Sequence, residues 1–322
     1  MRAVQFTKTG GPEVLEVVDV ALPEPKPGQA RVRHEAIGIN FIDTYHRTGL
    51  YPVKLPCTPG GEAAGVVDAV GEGVTAVKVG DRVAYSGGFG AYAEANCVAA
   101  DRLVKLPDGV DARLAAAILL KGMTTEAFVR RTYPVKAGET VLVHAAVGGV
   151  GQVMTQWLKA IGAEVIATVG SPEKAAKARE LGADHVILYR EQDVAAEVRR
   201  ITGGKGVPVA YDSVGKDTFE STLASLARRG LFVSFGNASG PVPPFPPARL
   251  AQGGSLYLTR PTLFDYVVTP QELADSAAAV FEMVQSGKIR IEIGQTFPLT
   301  EARKAQEALE SRATVGASLL IP

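Results

Sequence analysis

Up to about residue 105, apolar and polar positions alternate along the chain. The alternation is clearest at residues 30–37, 65–70 and 81–85, and turns rich in glycine and proline separate these segments. A period of two is typical of strands that bury one face, and closely spaced turns are typical of antiparallel sheets. The pattern therefore predicts a compact, mainly antiparallel β domain in this part of the chain.

From residue 140 the period changes. Apolar, strand-like segments at residues 141–143, 165–169, 186–188, 207–211 and 231–235 alternate with stretches of helical periodicity. Strands that alternate with helices of about ten residues are typical of a parallel sheet with helices on both faces. The second half is therefore predicted to be a doubly wound α/β domain.

A proline-rich segment follows the fifth of these strands. Residues 240–247 contain five prolines, which predicts an irregular loop that carries the chain away from the sheet. One more strand is predicted at residues 255–259, and an amphipathic helix at about residues 271–287.

Composition narrows the classes of partner. Lysine plus arginine and aspartate plus glutamate each number 34, so the formal net charge is zero and nucleic acid is not expected as the principal ligand. The chain starts with a strand-like pattern rather than a signal peptide, and the two cysteines, Cys57 and Cys97, are too few for a disulfide framework. The uncharged stretch 140–158 suits a buried strand, turn and helix better than a membrane span. A cytoplasmic protein is expected.

The strongest motif is a dinucleotide fingerprint at residues 146–151, which read AVGGVG and lie between a predicted strand and a predicted helix. A glycine at position 148 lets the backbone approach a pyrophosphate, and Gly151 permits close packing of helix on strand. Free N–H groups at the helix N-terminus would face the phosphates.

The choice between NAD and NADP depends on the end of the second strand, where an NAD enzyme carries an acidic residue. Here Gly170 and Ser171 follow the strand, and Lys174 falls in the first turn of the next helix. Such a turn favours the 2′-phosphate of NADPH. Glu173 complicates this interpretation, and the alternative is that Lys174 is a solvated surface lysine.

Several segments resemble one family closely. Residues 38–45, 59–65, 80–83, 211–215 and 310–314 are similar to the bacterial quinone oxidoreductases related to ζ-crystallin, which belong to the zinc-independent branch of the medium-chain dehydrogenase/reductase superfamily. The resemblance implies a GroES-like catalytic domain at residues 1–123 and 264–322. A Rossmann NADPH-binding domain is implied at residues 124–263, with the active site in the cleft.

Zinc alcohol dehydrogenases carry a cysteine where this chain has Asn40, and a G-H-E segment where it has Gly60, Gly61 and Glu62. Two zinc-ligand positions are therefore lost, and no metal is expected. The histidines show no ligand spacing, so each is expected to be structural or exposed; they are His34, His46, His144 and His185. Neither cysteine is expected to be a nucleophile.

The family's cofactor-binding residues carry over to this chain by position. At the nicotinamide end they are Asn40, Asp43 and Tyr45, with Phe41 and Thr124 as further cofactor contacts. At the pyrophosphate they are Gly148, Gly149 and Val150, and after the fifth strand they are Phe235, Gly236 and Asn237. At the 2′-phosphate they are Gly170, Ser171, Lys174, Tyr189 and Arg312. Two of these have simpler alternatives: Tyr189 as a half-buried strand residue and Arg312 as part of a surface ion pair.

The resemblance implies reduction of a quinone by NADPH, with positioning more important than a strong acid or a metal. Tyr45 or Asn40, or water, would then donate a hydrogen bond to the developing oxyanion, and Tyr51 is a weaker candidate. Two alternatives remain open: reduction of activated alkenes such as enones and alkenals, and an NADPH-regulated RNA-binding protein.

The resemblance also implies a homodimer that pairs through the strand at residues 255–259. One segment departs from the family: a helix is expected after residues 122–124, where Thr125, Glu126 and Ala127 stand in place of frequent aromatic residues.

Overall fold

The computed structural model describes residues 1–311 and 314–322. They form two compact units. The first comprises Met1–Met123, Val267–Gln285 and Ile291–Pro322, and the second comprises Thr124–Tyr266 and Ser286–Arg290. The division of the chain by role, into a catalytic and a cofactor-binding domain, stays a prediction.

Two short segments lie in the second unit although the sequence placed them in the first, namely residues 264–266 and 286–290. Side-chain contacts hold them there. Gln156 exchanges two hydrogen bonds with the backbone of Arg290, at 2.9 and 3.0 Å. The guanidinium of Arg131 lies 5.3 Å from the ring centroid of Tyr266 and donates to its carbonyl.

The N-terminal part of the chain forms strands β1 (Arg2–Gln5), β2 (Glu16–Asp19), β3 (Gln29–Ile39), β4 (Glu62–Val70), β5 (Arg82–Ser86), β6 (Ala95–Ala99) and β7 (Val104–Lys105). Its helices are α1 (Phe41–Thr48) and α2 (Ala112–Glu126), and a π-helical turn, Ala127–Thr132, continues α2. The helix expected after residue 124 is thus the last part of a longer helix that begins at Ala112, because the alanine-rich run before residue 124 is already helical.

The second unit contains strands β8 (Thr140–His144), β9 (Glu164–Val169), β10 (His185–Leu188), β11 (Val207–Asp212), β12 (Leu226–Ser234) and β13 (Tyr257–Thr259). Helices α3 (Gly149–Ile161), α4 (Pro172–Glu180), α5 (Val194–Ile201), α6 (Phe219–Ser225) and α7 (Ala248–Gln252) lie between them. The strands pair in parallel in the order β10-β9-β8-β11-β12-β13. The predicted doubly wound parallel sheet is confirmed.

The chain then returns to the first unit through α8 (Pro270–Gln285), β14 (Ile293–Pro298), α9 (Ala302–Glu310) and β15 (Ala317–Ile321). Short 3-10 turns are Pro12–Val14, Ala100–Arg102, Leu263–Asp265 and Leu299–Glu301. β14 and β15 complete the sheet β14-β15-β3-β4-β5-β7, in which β6 also pairs with β3. All pairs in this sheet are antiparallel except β14 with β15, so the predicted mainly antiparallel domain is confirmed.

Each unit has its own apolar core. In the first, Val4, Ile37, Tyr85, Tyr92 and Leu320 are buried together. In the second, the core joins the inward faces of the parallel strands to α5 and α6. Within the part of the chain that the structure describes, no helix combines the length and apolar character that crossing a membrane requires.

Candidate active site

Helix α1, with Asn40 directly before it, carries the predicted nicotinamide-end residues. It begins after Asn40, whose backbone N–H donates to the Asp43 carboxylate at 2.9 Å, and it ends at Gly49, which adopts a φ of 81°. A carboxylate that accepts from the backbone at a helix N-terminus fixes where the helix starts. The sequence therefore places Asn40, Asp43 and Tyr45 together at the start of one short helix.

The side chain of Asn40 is held by a buried ion pair. Its amide nitrogen donates to Glu62 Oε2 at 2.8 Å, and Lys121 Nζ lies 3.1 Å from the same oxygen. The other oxygen, Oε1, accepts the backbone N–H of Leu120 at 2.7 Å. Glu62 has no exposed surface and Lys121 is 3% exposed. Asn40 thus has one orientation, set by groups on β4 and α2.

Gly38 leaves the space that Glu62 occupies. The two residues are opposite each other in the β3–β4 ladder, and a Cβ at position 38 would lie 2.3 Å from Glu62 Oε2 and 2.4 Å from the carbonyl oxygen of Ala116. A side chain at position 38 would therefore displace the carboxylate.

Asp43 is enclosed by the protein, with 1% of its surface exposed. Its Oδ2 also accepts the Tyr92 hydroxyl at 3.1 Å. Burial, with a smaller contribution from Glu62, raises the pKa of Asp43 to about 7, whereas the hydrogen bonds and Lys121 act in the opposite direction. The carboxylate is committed to the start of α1 and to Tyr92.

Tyr45 lies in a cluster of rings. Its ring centroid is 5.4 Å from that of Tyr51, edge to face, and 6.3 Å from that of Phe41. The backbone N–H of Tyr51 donates to the Tyr45 carbonyl at 3.1 Å, which holds the loop after α1 against the helix. Tyr45 is 9% exposed, so its ring is fixed by packing.

In the second unit, the fingerprint forms the turn from β8 into α3. Gly148 precedes the helix with φ -73° and ψ 179°, and its N–H donates to the Ala145 carbonyl at 2.9 Å. A Cβ at Gly151 would lie 2.2 Å from that carbonyl oxygen, so only glycine fits there. Gly149 and Val150 open the helix, where backbone N–H groups have no helical partner and can bind phosphate.

The turn from β9 into α4 has the predicted form. The Ser171 hydroxyl caps α4 by accepting the Lys174 N–H at 3.4 Å, and Pro172 is the first helical residue. A Cβ at Gly170 would lie 2.7 Å from the hydroxyl oxygen of Tyr189, so the tyrosine covers bare backbone there. Glu173 is fully exposed, and a hydrogen bond from Ser171 lowers its pKa. Arg312, the remaining residue predicted for this group, lies outside the described residues.

The loop after β12 is fixed in the same unit. Phe235 donates its N–H to the Asp212 carbonyl at 2.8 Å, and its ring centroid lies 5.2 Å from that of Phe128. With its amide oriented to satisfy both atoms, Asn237 donates to the Gly236 carbonyl at 3.0 Å and accepts from Arg260 at 3.1 Å. Thr124, also in this unit, is 9% exposed.

The structure thus places the predicted residues in two groups on separate units. The first unit carries Asn40, Phe41, Asp43 and Tyr45. The second carries Thr124, Gly148, Gly149, Val150, Gly170, Ser171, Lys174, Tyr189, Phe235, Gly236 and Asn237.

Sequence reasoning missed Lys121 and assigned no role to Glu62. A signal for Lys121 existed, because it is the single lysine in the otherwise apolar run of α2. A lysine on a buried helical face needs a carboxylate partner. Its partner could not be identified, since Glu62 is far away in the sequence.

Among the described residues, no cluster of three histidine, cysteine or acidic side chains has metal-binding geometry. Asn40 and Gly61 offer an amide and no side chain, which is a poor donor set for zinc. His34 and His144 are buried and hydrogen-bonded, whereas His185 pairs with Glu164 at 2.9 Å. Both cysteines are free thiols, and burial raises the pKa of Cys57 to about 11.

The chain is similar to known protein families and to individual known proteins. The family model for the alcohol dehydrogenase GroES-like domain matches residues 26–108, and that for zinc-binding dehydrogenase matches residues 149–287. The chain is 53% identical to the quinone oxidoreductase of Pseudomonas aeruginosa, over 100% of this chain and 99% of that protein. It is 42% identical to a 2-haloacrylate reductase from Burkholderia, over 99% and 98%.

A solved structure is also similar over the whole length of the chain. The crystal structure of Escherichia coli quinone oxidoreductase complexed with NADPH superposes with a TM-score of 0.99 at 48% sequence identity, and each chain is covered completely. Similarity of this extent covers both units over their whole length. The chain therefore belongs to the quinone oxidoreductase family of the medium-chain dehydrogenase/reductase superfamily.

Proposed function

We propose that this chain is an NADPH-dependent quinone reductase that works without zinc. The observation that carries the proposal is the turn from β9 into α4, where the site of an NAD-selecting acid is taken by Gly170 and Ser171. A 2′-phosphate there would meet a serine hydroxyl, the N-terminus of α4 and the ammonium of Lys174. The E. coli relative crystallised with NADPH supports the same choice.

The second unit fits the rest of the dinucleotide. Gly148 carries no side chain beside the N-terminus of α3, and the nearest atom to a Cβ there is the Ala145 carbonyl oxygen at 3.2 Å. The open side of this turn leaves room for a pyrophosphate at the free N–H groups. NADPH, when bound, supplies the hydride.

The first unit supplies the polar groups for the acceptor. Glu62 and Lys121 hold the Asn40 amide in one orientation, and ring packing holds Tyr45. A quinone that accepts hydride becomes an oxyanion, and a fixed donor stabilises that charge with little reorganisation. Tyr45 is the proposed donor because its phenol can both donate this hydrogen bond and pack beside a planar acceptor. Asn40 is the second candidate.

The test is oxidation of NADPH by the purified protein with a simple benzoquinone as acceptor. Parallel reactions contain NADH in place of NADPH, and a metal chelator. We expect turnover that prefers NADPH and resists the chelator. Loss of turnover in the presence of the chelator would overturn the zinc-free mechanism. A preference for NADH would overturn the proposal that the turn from β9 into α4 binds the 2′-phosphate of NADPH.

A second candidate is reduction of activated alkenes. It is favoured by 42% identity to a 2-haloacrylate reductase over almost the whole chain. Hydride addition to an electron-poor double bond needs the same cofactor geometry and also leaves an oxyanion when the double bond is conjugated to a carbonyl. Turnover on matched panels of quinones, enones and 2-haloacrylates decides between the two: higher kcat/KM on quinones supports the first proposal.

We further propose a cytoplasmic homodimer. Strand β13 supports the pairing, since it lies at the end of the parallel sheet and Tyr257 on it is 54% exposed. An apolar edge strand of this kind can pair with a second copy of itself.

A further inference from the structure

A chain of buried polar side chains crosses the second unit at the carboxyl ends of three neighbouring strands. His144 ends β8, Thr168 lies in β9, Asp212 ends β11, and Thr222 lies on α6. The exposed fraction of each is 1% or less. His144 Nδ1 lies 2.9 Å from the Thr168 hydroxyl, and Nε2 lies 3.0 Å from the Thr222 hydroxyl. Thr222 in turn lies 3.0 Å from Asp212 Oδ2.

The direction of these hydrogen bonds follows from the number of protons. The Thr222 hydroxyl has one hydrogen, and it faces two groups that only accept: Asp212 Oδ2 and the Thr218 carbonyl at 2.7 Å. Its oxygen must therefore accept a hydrogen bond from the N–H at His144 Nε2. Burial lowers the pKa of His144, with Asp212 acting in the opposite direction, and this favours the neutral ring, in which Nδ1 accepts from Thr168. The two ring nitrogens of His144 therefore have opposite roles: Nε2 donates and Nδ1 accepts.

Asp212 connects the chain to the backbone. Its Oδ1 accepts the N–H groups of Val214 at 2.7 Å and Gly215 at 3.1 Å, and its Oδ2 accepts the Thr218 hydroxyl at 2.6 Å. A buried carboxylate that accepts from these three donors has little freedom to move. The loop after β11 is therefore tied to the same network as His144.

The network lies at the ends of the strands that lead into the two proposed cofactor-binding turns. The turn from β8 into α3 starts at the residue after His144, and Gly170 and Ser171 follow Thr168 by two and three positions. Ala145, the first residue of that turn, has a positive φ of 50°, a strained conformation that its surroundings must maintain. β9, β8 and β11 are neighbours in the sheet, so His144 connects the pyrophosphate turn to the 2′-phosphate turn.

We propose that His144, bridged by Thr168 and Thr222, is a positioning residue that sets the spacing between the pyrophosphate turn and the 2′-phosphate turn, and so determines selectivity for NADPH over NADH. The inference rests on the proposed function. His144 does not contact the cofactor. NADPH engages both turns at once, whereas NADH has no 2′-phosphate, so disturbing the spacing weakens NADPH more than NADH.

The test compares Thr168→Val and Thr222→Val, which remove the hydroxyls and keep the branched shape. Dissociation constants for NADPH and NADH are measured by isothermal titration calorimetry, and melting temperature is recorded for each variant. We expect NADPH binding to weaken by up to roughly 5- to 20-fold, the limit being the free energy of one buried hydrogen bond, with a smaller change for NADH. The ratio of the two constants is the diagnostic quantity.

Two controls separate positioning from general damage. Thr222→Ser keeps the hydroxyl and should restore the wild-type ratio. Ser225→Ala removes another buried hydroxyl of α6, which donates to the Ser221 carbonyl at 2.7 Å outside the network, and should leave the ratio unchanged. An unchanged ratio, whether both nucleotides bind as in the wild type or both bind equally more weakly, would overturn the inference. The proposed function would still stand as long as the wild-type protein prefers NADPH. A wild-type protein without that preference overturns both.

Discussion

Glu62 is a carboxylate that no solvent reaches, and Lys121 is the cation that compensates it. We expect Lys121→Met to lower the free energy of unfolding by about 3–5 kcal/mol, because it leaves a buried charge without its partner. The double variant Glu62→Gln/Lys121→Met should recover most of this. Denaturant unfolding followed by circular dichroism measures both.

A surface lysine serves as the control for this pair. Lys177 lies 3.2 Å from Glu180, and both side chains are solvent-accessible. Lys177→Met should change stability by about 0.5 kcal/mol or less, since exposed ion pairs contribute little. An equally small effect of Lys121→Met would contradict the assignment of Lys121 as the compensating cation.

Asp43 should make stability depend on pH. Its pKa is raised to about 7 in the folded protein from an ordinary value of 3.8, so between these values the folded state holds a proton that the unfolded state has lost. Stability therefore falls as pH rises from about 4 to about 7, by up to about 4 kcal/mol, and is constant above that range.

Asp43→Asn mimics the protonated carboxyl and can still accept from Asn40 and Tyr92. The difference in unfolding free energy between wild type and this variant should change in favour of the variant as pH rises through that window. Denaturation curves at several pH values measure it. A constant difference between pH 4 and pH 7 would show that Asp43 titrates normally.

Tyr45 and Tyr51 are adjacent phenols of which only one is proposed to act on the acceptor. Tyr45→Phe should reduce kcat with a quinone roughly 10- to 100-fold and leave the dissociation constant of NADPH nearly unchanged, because a donor to the developing oxyanion is lost. Tyr51→Phe is the matched control and should retain most activity. Unchanged turnover in Tyr45→Phe would mean that the ring only packs.

At the scale of an element, the turn from β8 into α3 contains glycines with two different roles: Gly151 packs against the backbone, and Gly148 leaves room for the pyrophosphate. Gly151→Ala places a Cβ 2.2 Å from a backbone carbonyl oxygen, so it should lower both the melting temperature and NADPH affinity. Gly148 has a φ that alanine tolerates, and its nearest neighbour would be at 3.2 Å. Gly148→Ala should therefore keep the melting temperature within a few degrees and weaken NADPH binding at least about tenfold by blocking the pyrophosphate.

Calorimetry and thermal unfolding on the same two samples check this. We expect Gly151→Ala to change both the melting temperature and the affinity for NADPH, and Gly148→Ala to change only the affinity. If Gly148→Ala binds NADPH like wild type, the phosphate does not approach that glycine.

At the scale of the whole molecule, the exposed edge strand β13 predicts a dimer. Sedimentation velocity at micromolar concentration should show a homodimer for the wild type. Tyr257→Lys should shift it toward monomer by placing charge on the apolar edge. Val268→Lys is the control, because Val268 is also exposed, at 64%, but lies on the first unit. A monomeric wild type would contradict the prediction.

The sequence predicted the strands of the second unit more completely than the elements of the first, for a physical reason. Parallel strands are buried on both faces and are followed at once by their helices, so β8, β9 and β11 stand out as apolar runs. The C-terminal elements β14, α9 and β15 gave no such signal and were not predicted. β15 pairs with β3, which lies at the other end of the sequence, and β14 pairs with β15. The local pattern carries no information on such a distant partner.

The sequence by itself determined the family, both sheet types, the fingerprint turn and the capped turn at Ser171, because each depends on residues that are neighbours along the chain. Only the tertiary structure decided which side chains hold Asn40 and what His144 does. Glu62 with Lys121, and His144 with Thr222, are separated by 59 and 78 positions. Their pairing depends on how strands and helices pack, and buried charges and hydroxyls find partners only after that packing is set.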